Sequence, residues 1–179
     1  LMMSKIPAII AMSLLLATSS LFGTEIIAHR GASFDAPENT MAAFRLGWER
    51  GADGVELDIH QTSDGHIVAI HDKDTKRTAA VDRLVSEQTL EELQQLDAGS
   101  WKTGLKEGIT TLAQALQSVP LEKGYLVIEI KCGKEVLPEL EKVLRQSGVK
   151  PEQAVIIAFD FETIRLAKER FPDRKCYWL

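Results

Sequence analysis

The chain has 179 residues, 45% of them hydrophobic and 26% charged, which is enough apolar material for one globular core. Its formal charge of -5, with no basic patch set against it, argues against nucleic acid as a partner. A small anionic ligand would have to find its positive groups locally, in single arginines and lysines or in a bound cation.

Residues 1–24 read as a leader. Lys5 precedes the apolar run Ile6–Ala17, and the small residues Thr18, Ser19 and Ser20 follow. That is the order of a secretory signal peptide, and the run is short for a membrane span. Export to the periplasm or the exterior is the expectation, with cleavage after Ser20 or Gly23. An uncleaved anchor over residues 6–23 is the alternative.

Beyond the leader, apolar runs at 26–29, 54–59, 67–71, 125–130, 154–159 and 175–179 are rich in Val and Ile and bounded by Gly, Asp or Pro, which predicts strands. Helical spacing is found over Thr40–Arg50, with Asn39 or Thr40 as cap and Gly51 as stop, and over Thr111–Val119, Pro138–Gln146 and Glu162–Arg170. Strands alternating with helices imply an α/β fold with a parallel sheet, whose closed form is the (β/α)8 barrel. The second and third runs break this pattern, because His60–His66 is too short for a parallel crossover. Thr62-Ser63-Asp64-Gly65 is a turn signal, and a turn centred between Ser63 and Asp64 would set His71 opposite Glu56 in an antiparallel pair. A looser link restoring the parallel direction is the alternative.

Residues 73–110 are polar and add no unit to the repeat. They hold one predicted helix, Leu90–Leu96, behind the capping box Thr89-x-x-Glu92. They are expected to form a cap-like insertion, making residues 25–179 a single domain. Six strands are counted where a complete barrel has eight, so the chain is expected to stop inside its sixth strand. Cys132 and Cys176 fall on the fourth and sixth strands. Two strand spacings of about 9.6 Å exceed the reach of a disulfide, so both read as free thiols, mostly buried.

An ordered series of motifs runs through these elements: HRGAS at 29–33, PENT at 37–40, GADGVELDIHQTSDG at 51–65, VAIHD at 68–72, RTA at 77–79, LDAGSW at 96–101, TLAQAL at 111–116, IEIK at 128–131 and IIAFD at 156–160. Together they resemble the glycerophosphodiester phosphodiesterases of the phospholipase C-like phosphodiesterase barrel superfamily, over residues 26 to 179. The resemblance implies a TIM barrel with a small insertion over its mouth. It also implies metal-dependent cleavage of glycerophosphodiesters to sn-glycerol 3-phosphate and an alcohol. A lysophospholipase D or sphingomyelinase D-like lipid phosphodiesterase, and a catalytically incompetent metal-binding fragment, are the alternatives. Membrane contact would come only through an uncleaved leader or a lipid substrate. Phe34, Thr110 and Ala158 depart from the Gly, Pro and Ser that many relatives carry.

The residues themselves point the same way. Glu56 and Asp58 alternate onto one face of their strand about 7 Å apart, and Glu129 ends another strand. Two carboxylates 4 Å apart repel by roughly 4 kcal/mol at an effective dielectric of 20, so the three form a candidate metal site. Oxygen ligands favour Mg²⁺ or Ca²⁺ over zinc. Salt bridges to Arg30 and Lys131 are the other reading of these acids. His29 and His71, each at a strand end, titrate near neutrality and are the candidate general acid and base. Arg30, a planar fork, and Lys131, a point charge, are the phosphate candidates. The PENT motif reads as scaffold leading into the first helix; that it borders the site, with Glu38 and Asn39 as supporting residues, is what the resemblance implies. His60 and His66 flank the turn and are expected to be solvated, although His60 shares the face of Glu56 and Asp58. Asp64, Gly65, Arg77 and Thr78 are assigned to structure.

Overall fold

The computed structural model describes residues 23–179. The leader read over residues 1–24 lies outside the described residues, except for its last two. Strand β1 (Ile27–Ala28) leads through a loop to α1 (Met41–Glu49), and β2 (Gly54–Gln61) returns parallel to β1, with Ala28 opposite Val55. Of the two capping candidates the helix uses Thr40, whose hydroxyl accepts from Ala43 N at 3.3 Å and donates to Pro37 O at 2.6 Å. Asn39 is thereby left free to reach across to β2.

Strand β3 (Ile67–Ala69) pairs antiparallel with β2, so the link between them is a hairpin and not a crossover. The register differs by one residue from the expected one: Ile59 faces Ala69 and His60 faces Val68. The cause lies in the turn. Thr62 N donates to His66 O at 2.9 Å, closing a three-residue loop in which Gly65 is left-handed at φ 87°, a conformation glycine adopts at little cost. β3 stops at Ala69, and His71 leaves the sheet instead of sitting opposite Glu56.

The insertion follows, with α2 (Lys76–Ala79), α3 (Leu90–Gln94) and α4 (Ser100–Thr103). The predicted capping box of Thr89 and Glu92 opens α3. β3 serves two cores through its period of two: Ile67 and Ala69 join the main core, while Val68 and Ile70 pack with Val85, Leu93, Ala98 and Ile109 of the insertion. The insertion is thus rooted in the same sheet as the rest of the chain.

Next come α5 (Leu112–Gln117), β4 (Tyr125–Ile130), α6 (Leu137–Ser147), β5 (Ala154–Ala158), α7 (Phe161–Arg170) and β6 (Cys176–Trp178). The sheet order is β1-β2-β4-β5-β6, parallel throughout, with β3 attached to β2. This is the wall of a (β/α) barrel, to which five of the six strands contribute. Among the described residues no strand joins β6 back to β1. Cys132 lies two residues beyond β4 rather than within it, Cys176 opens β6, and both thiols are free and half-buried. No helix among the described residues is long and apolar enough to cross a membrane.

Alternation sorts the two faces of the wall. Val55, Leu57 and Ile59 of β2 and Leu126, Ile128 and Ile130 of β4 point outward and are buried with Phe44, Leu112, Leu140 and Leu144 of the helices. Each such aliphatic side chain contributes about 1.5–3 kcal/mol of burial. The inner face carries Glu56, Asp58, His60 and Glu129 towards the C-terminal ends of the strands. The remainder, lined by Ile27, Tyr125, Val127, Val155 and Tyr177, borders an open apolar cleft of about 630 Å³.

Candidate active site

One edge of β2 carries two strands in succession. β1 accompanies it only as far as Val55, and β3 comes back along it only as far as Ile59. Beyond β3 the chain stays close for one more residue, Ile70 N donating to Asp58 O at 3.0 Å. Between these two strand ends lie Glu56, Leu57 and Asp58. His29 follows β1 and His71 follows β3, so the two histidines reach the acidic residues from opposite chain directions.

The loop after β1 is held in an uncommon backbone shape. Arg30 at φ 56° and Gly31 at φ 77° are both left-handed, and Asn39 at φ 57° is a third such residue. Left-handed non-glycine residues cost about 1 kcal/mol or more each and persist where their surroundings fix them. Here Arg30 N donates to Glu56 Oε2 at 2.8 Å and Asn39 N donates to Arg30 O at 3.0 Å. The Asn39 amide clasps Asp58, donating to Oδ2 at 2.9 Å and accepting from the Asp58 N–H at 3.2 Å.

Asp58 and Glu129 face each other directly across β2 and β4, and Glu56 stands one inner position earlier. All three are buried, and an oxygen from each lies within 4.8 Å of the other two. Glu56 Oε1 and Asp58 Oδ1 are buried with no hydrogen-bond partner among the described residues. Burial, followed by the charge of Asp58, pushes the Glu56 carboxyl up to about 7. Glu38 and Asp72 bring the carboxylates to five, against Arg30, Lys131 and Arg77, leaving two negative charges once Glu56 is ionised. Orphaned buried oxygens and an excess of two negative charges fit a hard divalent cation such as Mg²⁺ or Ca²⁺.

The positive groups flank the triad. Arg30 Nε is 3.3 Å from Asp58 Oδ2, and its NH1 donates to Glu38 Oε1 at 3.0 Å. Lys131 donates to Glu129 at 2.9 Å and stands 3.8 Å from Asp58. His29 is largely exposed, its Nε2 3.8 Å from Glu56 Oε2. His71 is fixed on both sides, Nδ1 lying 2.7 Å from Asp72 Oδ1 and Nε2 3.4 Å from Lys131 Nζ. The structure thus brings every candidate residue named from the sequence to one end of the wall.

Two residues depart from their expected roles. His66 is exposed as expected, but His60 is buried and its Nε2 lies 3.2 Å from the His71 carbonyl oxygen. Burial pushes the His60 pKa down, so its neutral ring donates that hydrogen bond. The signal available was its position on the inner face of β2, two residues after Asp58. Arg77, assigned to structure, reaches both Glu38 and Asp72. No local pattern announces its contact with Glu38, which spans 39 residues of sequence.

Residues 29–170 match the model of the glycerophosphoryl diester phosphodiesterase family. A glycerophosphodiester phosphodiesterase from Caldanaerobacter subterraneus subsp. tengcongensis is 41% identical over 160 residues, covering 85% of this chain and 65% of the relative. Among solved structures, an Oleispira antarctica phosphodiesterase in complex with the product sn-glycerol-3-phosphate matches with a TM-score of 0.78 and 34% identity, over 83% of this chain and 63% of that one. A glycerophosphodiester phosphodiesterase from Agrobacterium tumefaciens matches with a TM-score of 0.75 and 29% identity, over 85% and 65%. The chain spans less than two thirds of the length of each of these three proteins.

Proposed function

The chain belongs to the glycerophosphoryl diester phosphodiesterase family, and from that premise we propose that it is an exported enzyme hydrolysing glycerophosphodiesters to sn-glycerol 3-phosphate and an alcohol with a divalent cation. The observation that carries this reading is the set of orphaned carboxylate oxygens flanked by two histidines, an arginine and a lysine at one strand-end rim. The product bound in the Oleispira antarctica protein supports the same substrate class.

Glu56, Asp58 and Glu129 would hold the cation. When bound, it would offset their charge and polarise the phosphoryl oxygens. Arg30 presents a fork and Lys131 an ammonium to the non-bridging oxygens. His71 accepts a proton of the attacking water at Nε2, because its Nδ1 is held by Asp72. As the new P–O bond forms, the P–O bond to the leaving alcohol breaks, and His29 donates a proton to the departing oxygen.

Calorimetric titration with Mg²⁺ and Ca²⁺ tests the acidic triad. One site per chain is expected, and Glu56→Gln should weaken it by about 100-fold or more, beyond what losing a merely supporting contact costs. Unchanged affinity in that variant would remove Glu56 from the site. The binding must also depend on pH. The Glu56 carboxyl at about 7 has to lose its proton before it can ligate, so affinity should fall by about tenfold per pH unit as the pH drops below 7. A flat profile between pH 5 and 8 would contradict a protonatable ligand there.

A lipid substrate is the second reading, favoured by Phe159, Phe161 and Trp178, which stand exposed after β5 and at the end of β6. Assays with a deacylated glycerophosphodiester beside the corresponding lysophospholipid separate the two. Faster turnover of the deacylated substrate is expected.

A further inference from the structure

Arg77 lies outside the triad, the histidines and the phosphate cations, yet its guanidinium is committed entirely to this end of the wall. Nε donates to Asp72 Oδ2 at 2.7 Å and NH2 to Asp72 Oδ1 at 3.2 Å. NH1 donates to Glu38 Oε2 at 2.9 Å, and NH2 also to Glu38 Oε1 at 2.8 Å. Each carboxylate in turn holds a residue of the reaction. Asp72 takes His71 Nδ1 at 2.7 Å, and Glu38 takes Arg30 NH1 at 3.0 Å.

The segment that presents Arg77 from α2 is itself held in place. Thr75, fully buried, donates to Val81 O at 2.7 Å. Gln88, also buried, donates to Thr75 Oγ1, Arg83 O and Leu84 O, each at 3.2 Å. The planar fork of an arginine matches two carboxylates geometrically and loses less side-chain freedom per hydrogen bond than a lysine would.

We propose that Arg77 is a positioning residue of the phosphodiesterase reaction: through Asp72 it fixes the tautomer and orientation of His71, making the insertion a working part of the catalytic rim. This rests on the functional reading above. Asp72 is an acceptor only, its carboxyl held down to about 2 chiefly by the hydrogen bond from Arg77. The proton of a neutral His71 ring must then sit on Nδ1, leaving the Nε2 lone pair towards Lys131 and the substrate. The Lys131 ammonium, a donor at 3.4 Å from Nε2, requires the same tautomer. Without Arg77 the Asp72 carboxylate can rotate away, and the ring loses the partner that orients it.

Steady-state kinetics on glycerophosphocholine and nitrogen-15 NMR of the His71 ring, on the protein and its Arg77→Met, Arg77→Lys and Asp72→Asn variants, test this. Arg77→Met is expected to lower kcat by about 10–100-fold with KM within about threefold, since misplacing a reacting group costs turnover more than binding. Arg77→Lys, which keeps the charge without the fork, should recover part of the loss. It supplies the same comparison should the methionine variant not fold. The Arg77→Met/Asp72→Asn double variant should be no worse than the worse single one, because both act through one ring. The ring-nitrogen shifts should move from the Nδ1–H form towards a tautomer mixture in Arg77→Met. An unchanged kcat, a loss confined to KM, losses that multiply in the double variant, or unmoved ring-nitrogen shifts would each overturn the proposal. Absence of turnover in the unsubstituted protein would instead sink the functional reading, while the NMR comparison still decides the role of Arg77.

Discussion

His71→Ala is expected to lower kcat by about 10²–10⁴ while KM stays within about threefold, the pattern of losing a group that works only in the transition state. Asp72 holds one ring nitrogen at 2.7 Å, so the ring is oriented before any substrate arrives. Removing the ring takes away the proposed proton acceptor but leaves Arg30 and Lys131, the proposed phosphate-binding residues, in place. His29→Ala should show a loss in the same range, since the leaving alcohol then departs without a proton donor. A rise in KM alone for His71→Ala would reassign that residue to substrate positioning. The measurement is a full saturation curve for each variant, with the thermal midpoint recorded to separate chemistry from unfolding.

Gly31→Ala is expected to destabilise the protein by about 2–4 kcal/mol, through overpacking and a left-handed backbone acting together. Gly31 has φ 77°, and a β-carbon placed on it would lie 2.6 Å from the Ala43 carbonyl carbon and 2.7 Å from the Ala43 β-carbon and oxygen. Ala43 is fully buried in α1, so the obstacle is helix backbone in the core, not a side chain that can swing aside. For a chain of this size the thermal midpoint should drop by about 5–15 °C. Activity should fall as well, because the same loop sets Arg30 against Glu56 and Glu38. An unchanged midpoint would show that α1 can shift away from the loop, contrary to the packing described. Gly51→Ala makes a useful contrast: its φ of 80° is similarly left-handed, but a β-carbon there would meet no atom within 4 Å. It should show the backbone penalty of about 1–2 kcal/mol without the clash.

Much of this protein is carried by local periodicity. Alternation along residues 54–59 and 125–130 assigns both strands and both of their faces, because side chains on a strand can point only two ways. It follows from the sequence alone that Glu56 and Asp58 share a side and that Glu129 is followed by Lys131 on its own face. The capping boxes at Thr89 and Thr111 and the alternation of strand and helix are equally local, since a threonine hydroxyl and a Glu or Gln three residues on satisfy each other's backbone N–H groups within one turn.

The rest depends on distances that no short window contains. The hairpin register turned on whether the loop has two residues or three. Gly65 in a left-handed conformation decided it, displacing His71 from the sheet to the loop where Asp72 can hold it. Choosing Thr40 over Asn39 as the helix cap released Asn39 to bind Asp58, a competition settled by the position of β2. His60 lies beside a turn in sequence but beneath the His71 backbone in space. Arg77 stands in the RTA motif, but nothing local says what it meets, and only the folding of the insertion back over the rim sets it between Glu38 and Asp72. Side-chain direction is a property of the strand and can be read one residue at a time. Which charged group meets which across the rim is a property of register and loop closure, and only the tertiary structure decides it.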